Sequence, residues 1–212
     1  LDLPEQTFIP VMVDAPKEYK KFMKDSIITI DILNLCEFHD DSDFYGKDVT
    51  PRVELIGDTI FTKRLYARQL ASQYNQNKID ALKDLIQSTQ DRLIIFYNFN
   101  AELDILKGIC NTLQRPYSEV NGSVKDLSNY EELNDSVTLV QYQSGAKGLN
   151  LQKCNKIIYF SLTEKCEDWM QSQKRVHRIG QSQPCFYYIL MAKNTIDERI
   201  YDSLQLGVDY ID

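Results

Sequence analysis

The sequence predicts an α/β protein, a parallel β-sheet flanked by helices, and three observations carry that expectation. Four short apolar runs, Leu93-Ile-Ile-Phe-Tyr97, Val137-Thr-Leu-Val-Gln-Tyr142, Ile157-Ile-Tyr-Phe160 and Phe186-Tyr-Tyr-Ile-Leu-Met191, lack the polar alternation of a half-exposed strand. They read as strands covered on both faces. Segments of helical period separate or follow them, at residues 101–113, 163–179 and 195–206. Alternation of this kind winds a parallel sheet, whose sites lie at the carboxyl ends of its strands.

Composition sets the outer limits. The chain has 212 residues, 43% of them hydrophobic, enough for one large domain or two small ones. No run approaches the roughly 18 apolar residues of a membrane span. The opening Leu1-Asp-Leu-Pro-Glu5 lacks the basic and apolar regions of a signal peptide, so a protein of the cytoplasm or nucleus, without a membrane partner, is expected. Because Leu1 is not Met and the chain opens mid-pattern, it is expected to be a piece of a longer protein. The five cysteines, Cys36, Cys110, Cys154, Cys166 and Cys185, are odd in number and too widely spaced for a zinc pair. Reduced, buried thiols are expected, with no metal site. A net charge of −7 is the opposite of the basic footprint of a free-standing nucleic-acid binder, so any DNA contact must be local.

In chain order, residues 1–90 are read as an N-terminal arm and helical lead-in. Phe8–Val13 is apolar enough for a strand, and Ala15–Lys24 has a proline at the position favoured in a first helical turn. Residues 37–58 form an acidic excursion rich in turn formers, among them Asp40, Asp48, Pro51 and Gly57. Its Asp41, Asp43 and Gly46 do not make a calcium loop, because Tyr45 occupies a ligand position and Arg52 stands where a glutamate is required. Helices are expected at 61–73 and 78–87, the second with Ile79, Leu82, Leu85 and Ile86 on one face. Residues 91–212 then form the α/β lobe. In the helix expected at 163–179, Ser161 and Glu164 have capping-box spacing, Glu164, Glu167 and Asp168 suit the positive end of the dipole, and Gly180 is a stop. Asp197 and Glu198, on the closing helix, read as surface charge.

Two stretches carry chemistry. Along a helix, Gln171, Arg175, Arg178 and Ser182 fall on one polar stripe, while Trp169, Val176 and Ile179 fall on an apolar side. Two neighbouring guanidiniums that never lose their charge suit the clustered oxygens of a polyphosphate, although an isolated Arg-x-x-Arg is ordinarily a solvated helix face. After the strand ending at Tyr142 comes Gln143-Ser-Gly-Ala-Lys-Gly-Leu-Asn-Leu-Gln152. Its glycines let backbone N–H groups approach phosphates, and Ser144, Lys147 and Asn150 add donors; the plain alternative is a glycine-containing turn. Trp169, Tyr97, Tyr187 and Tyr188 are read as packed, His177 as a hydrogen-bonding residue, and Lys153 and Lys156 as members of a solvated turn.

As a set these residues have a family likeness. Gly145, Gly148-Leu-Asn-Leu151, Gln171, Arg175 and His177-Arg-Ile-Gly-Gln181 resemble motifs V and VI of the Swi/Snf-type ATPases of helicase superfamily two. Arg92-Leu-Ile-Ile-Phe-Tyr-Asn-Phe99 is similar to the family's motif IV strand, and Asn194–Ile200 to the segment after motif VI. The resemblance implies a RecA-like C-terminal lobe of a two-lobe motor that translocates on double-stranded DNA. ATP would sit between the lobes, with Mg²⁺ held by the N-terminal lobe. Arg178 matches the arginine finger and Arg175 a second phosphate-facing or lobe-bridging arginine, with Gln171 orienting the pair. Gly148 and Asn150 would face the nucleotide, and Ser144, Gly145 and Lys147 the DNA backbone.

The sequence also departs from the family. Lys174 replaces an acidic residue, Ser161-Leu-Thr163 replaces the usual Asp and Trp-Asn-Pro, and Ala146 and Lys147 are uncommon in motif V. These differences suggest a divergent branch, bacterial or phage-encoded. No G-x-x-x-x-G-K-[ST] occurs anywhere, so the chain alone is expected not to hydrolyse ATP. Two other readings compete: an RNA helicase lobe, against which the HRIGQ string argues, and a non-hydrolysing interaction module that keeps the fold.

Overall fold

The computed structural model describes residues 2–32, 51–145 and 148–211. Lys147, Cys36, the would-be calcium loop and residues 37–50 of the acidic excursion lie outside the described residues. In order the elements are β1 (Gln6–Val13), α1 (Lys17–Asp25), β2 (Ile27–Asp31), β3 (Arg52–Ile56), α2 (Ile60–Ala71), α3 (Gln76–Gln87), β4 (Leu93–Tyr97) and α4 (Asn100–Thr112). There follow β5 (Tyr117–Val120), β6 (Lys125–Asp126), α5 (Ser128–Glu132), β7 (Val137–Gln141), α6 (Tyr142–Gly145), β8 (Lys156–Tyr159), α7 (Cys166–Gln173), β9 (Cys185–Ala192) and α8 (Ile196–Gln205).

Among the described residues, seven strands form one sheet in the order β1-β9-β8-β4-β7-β5-β6, parallel throughout except for the short β6. The unalternating runs are explained by cover on both faces. Ile94 and Phe96 of β4 pack into one buried cluster with residues of α1, α2, α7 and α8, including Phe22, Leu70, Trp169 and Ile200. Leu93, Ile95 and Tyr97 point the other way, onto Ile79, Leu82 and Ile86 of α3 and Leu106 and Ile109 of α4. Trp169 is buried, its ring 4.6 Å from that of Tyr159. Cys110, Cys154, Cys166 and Cys185 are free and buried. Among the described residues no helix is long and apolar enough to cross a membrane.

Several expectations change. Phe8–Val13, expected in an arm, belongs to β1, which pairs with β9 from Gln6↔Cys185 to Val13↔Ala192, so the main sheet draws on the first ninety residues too. At the far end of the acidic excursion, Arg52–Ile56 is a strand paired antiparallel with β2. The helix expected over 163–179 is α7 alone, Cys166–Gln173, with Lys165 at its N-cap and no side-chain cap. Ser161 and Glu164 do not form the capping box because each has a stronger claim elsewhere. The Ser161 hydroxyl donates to the buried Glu102 carboxylate (2.7 Å), and Glu164 pairs with Arg64 (3.2 Å) and Arg68 (3.4 Å) of α2. Asp197 is not surface charge. It is buried, bonded at 2.8 Å to the fully buried Lys78 ammonium, and accepts the Ala192 N–H. A charge so deep is tolerable only when paired.

Candidate nucleotide and nucleic-acid site

α7 ends at Gln173, and the chain from Lys174 to Gln181 proceeds as linked turns. Polar groups of the neighbouring segment hold it there. The Gln181 side-chain amide donates to the carbonyls of Gln152 (3.2 Å), Cys154 (3.0 Å) and Val176 (3.2 Å), drawing the turn against the stretch after Leu151. Gly180 makes the reversal possible at φ +100°, where a Cβ would be strained and would stand 2.9 Å from the Gln152 amide nitrogen. His177 meets the Pro4 carbonyl through Nε2 at 2.8 Å, fastening the turn to the segment before β1.

The predicted polar stripe therefore does not exist as a helix face, yet its arginines are presented differently rather than lost. Arg175 is buried and donates to the Leu149 carbonyl (3.3 Å), while the Arg175 carbonyl accepts the Leu151 N–H (3.0 Å). Arg178 is exposed. Ile179, expected on the apolar side, is 75% exposed because the turn carries it outward. Burial, and after it the positive charge of Arg178, push the Arg175 guanidinium down from its usual value. Arginine keeps its proton all the same, so Arg175 stays a cation within the fold.

The glycine stretch divides in two. Ser144 and Gly145 end the one-turn α6 at the carboxyl end of β7, with Ser144 half-buried. Gly148 is exposed at φ +76°, a left-handed conformation, and opens the segment that pairs with Arg175. Asn150 is exposed, its side-chain oxygen accepting the Gln152 N–H (3.3 Å). Gln171 is half-buried on α7 and, among the described residues, makes no hydrogen bond to either arginine. Lys153 and Lys156 are ion-paired with Glu131 and Asp91. Arg175 thus meets the Leu149–Leu151 backbone, which Gly148 precedes and Asn150 belongs to, with Arg178 three residues further along the turn, whereas Ser144 and Gly145 sit at the carboxyl edge of the sheet.

Sequence reasoning missed the polar web behind that edge. Glu102, fully buried at the start of α4, accepts from Ser72 (2.9 Å), the Asn98 N–H (3.0 Å) and Ser161 (2.7 Å). Asn98 in turn donates to Ser161 and the Leu162 carbonyl and receives Gln141 on its own carbonyl, tying together the ends of β4, β7 and β8. The only sequence signal was an acidic residue in the first turn of a helix after a buried strand, which many solvated helices share.

Residues 77–180 match the family described as "Helicase conserved C-terminal domain". The chain is 33% identical over 132 residues to the ATP-dependent helicase fft1 of Schizosaccharomyces pombe, covering 58% of this chain and 14% of that protein. Against the ATP-dependent helicase FUN30 of Saccharomyces cerevisiae it is 30% identical over 135 residues, covering 58% and 12%. The DNA repair and recombination protein RDH54 of the same yeast is 27% identical over 152 residues, covering 64% and 15%. The chain thus spans about a seventh of these relatives' length. All three are yeast proteins, which lends no support to a bacterial or phage origin. A crystal structure of the C-terminal part of the Fun30 ATPase domain superposes with a TM-score of 0.69 at 17% identity, over all of this chain and 92% of the other. The likeness establishes the fold as the RecA-like α/β architecture.

Proposed function

We propose that this chain, similar to the Swi/Snf-type helicases and matching the helicase conserved C-terminal domain over residues 77–180, is the second motor lobe of a DNA-dependent ATPase that translocates on duplex DNA. The observation that carries this reading is the paired presentation of two arginines: Arg175 anchored by the Leu149–Leu151 backbone, Arg178 exposed beside it. An exposed guanidinium reinforced by a buried one is a donor set matched to a polyphosphate, and the repulsion between them favours an anion at that place. In this reading an N-terminal lobe supplies the phosphate-binding loop and the residues that hold Mg²⁺. ATP supplies the phosphoryl group. Arg178 stabilises charge on it during transfer, Arg175 holds the turn and its field in place, and Gln171, Gly148 and Asn150 line the nucleotide side.

Ser144 and Gly145 at the carboxyl edge, and with them Lys147, then contact DNA phosphates, giving binding that ignores sequence and weakens with salt. The test is ATP turnover by the full-length protein with duplex DNA, duplex RNA or no nucleic acid. Stimulation by duplex DNA above the other two is expected; equal turnover in all three would sink the DNA-dependent motor.

A further inference from the structure

At the carboxyl ends of β1 and β9 lies an open cavity of about 920 Å³, outside the arginine site, between the starts of α1 and α8. Four cations line it, Lys17, Lys20, Lys193 and Arg199, against two carboxylates, Asp14 and Glu198. In a chain of net charge −7 this is a local positive excess. Lys193 and Asp14 approach to 3.5 Å, but both side chains are half exposed or more, so their attraction is screened and either can turn to another partner.

The walls are fixed although the lysines are not. Buried Tyr19 accepts the Ile196 N–H (2.8 Å), joining α1 to the start of α8. The Asp14 carbonyl accepts from both Asn75 and Asn77 (3.1 Å each), pinning the corner after β1 to α3. After β9 the corner is held by Thr195 on the Ala192 carbonyl (2.7 Å) and by Asp197 on the Ala192 N–H, with Asp197 locked by buried Lys78. Flexible ammoniums around a rigid concavity suit an extended anion better than a single tightly fitted ion.

Topology says which anion. The strands from β1 to β7 run parallel, so the cavity opens on the same sheet edge as Ser144 and Gly145, in the order β1-β9-β8-β4-β7. Three to four strand spacings separate the two, about 14–19 Å. A duplex carries one negative charge per about 1.7 Å of axis, so a length of that order offers several phosphates. We propose that Lys17, Lys20, Lys193 and Arg199 form a second contact for the phosphate backbone of duplex DNA, seating it along the carboxyl edge together with Ser144 and Gly145. This rests on the motor reading, in which this edge faces DNA.

The experiment uses the full-length protein and a fluorescent duplex, with binding measured over a salt series. Lys17→Ala/Lys20→Ala/Lys193→Ala is expected to weaken binding about tenfold or more and to flatten the slope of log affinity against log salt by about 2–3, near 0.9 for each phosphate no longer neutralised. Arg199 is left unaltered because it also bears on Tyr19. The arginine version of the same triple variant is expected to keep the original slope, as is Lys156→Ala at the opposite, amino end of β8. An unchanged slope in the alanine variant, with its urea midpoint preserved, overturns this contact alone. Failure of the unaltered protein to bind duplex overturns both this contact and the motor reading. Pyrophosphate binding that the alanine variant abolishes while its duplex slope stays unaltered assigns the cavity to a small phosphate ligand and overturns the proposal too.

Discussion

Glu102 shows how a single buried group sets conditions for the whole edge. Burial raises its carboxyl above the usual carboxylate range, with the Asn98, Ser161 and Ser72 donors and the Lys78 charge offsetting part of the shift. A folded-state pKa above the unfolded one means that the folded chain holds its proton longer. The stability this contributes is complete below the ordinary carboxylate value, about 4.3, and is lost as pH rises through the raised one. Glu102→Gln is therefore expected to remove a decline of stability with rising pH. Urea unfolding of both proteins across that range checks it, and parallel pH profiles would show that Glu102 does not titrate there. This role could not be read from sequence, since what distinguishes Glu102 from a solvated helix-start glutamate is its contact with Ser72 and Ser161, 30 and 59 residues away.

Among the elements, the apolar runs were legible because cover on both faces forces continuous hydrophobicity: β4 runs from Leu93 to Tyr97 as expected, and β7, β8 and β9 lie within a residue or two of their predicted limits. Helix periodicity misled after Gln173. Arg175, Val176 and Arg178 continue a helical pattern in sequence, yet the chain leaves the helix because Gln181 and Leu151 offer its backbone other partners. Short elements such as β6 and α5 carry too few residues for any period to register. The turn depends on Gln181, whose amide bridges three carbonyls. Gln181→Ala is expected to cost about 1–3 kcal/mol by leaving those carbonyls unpaired and to lower ATP turnover in the full-length protein. Urea unfolding and steady-state kinetics measure both. Unchanged turnover would mean that the arginines are held without it.

For the molecule as a whole, the architecture and the pair of arginines were legible in the residues, but the means of presenting those arginines was not. The Leu149–Leu151 segment and the arginine turn are joined by hydrogen bonds from the Arg175 guanidinium to the Leu149 carbonyl and from the Leu151 N–H to the Arg175 carbonyl. Those bonds join residues 24 or more positions apart, which no local pattern encodes. On the proposed reading, Arg178 acts in the transition state of a shared ATP site. The most direct test is ATP turnover by full-length protein carrying Arg178→Ala, alongside binding of a fluorescent ATP analogue. Turnover with duplex DNA is expected to fall by about 10³-fold or more, as arginine-finger losses do, while nucleotide affinity changes little. Turnover that survives the substitution would contradict the assignment of Arg178.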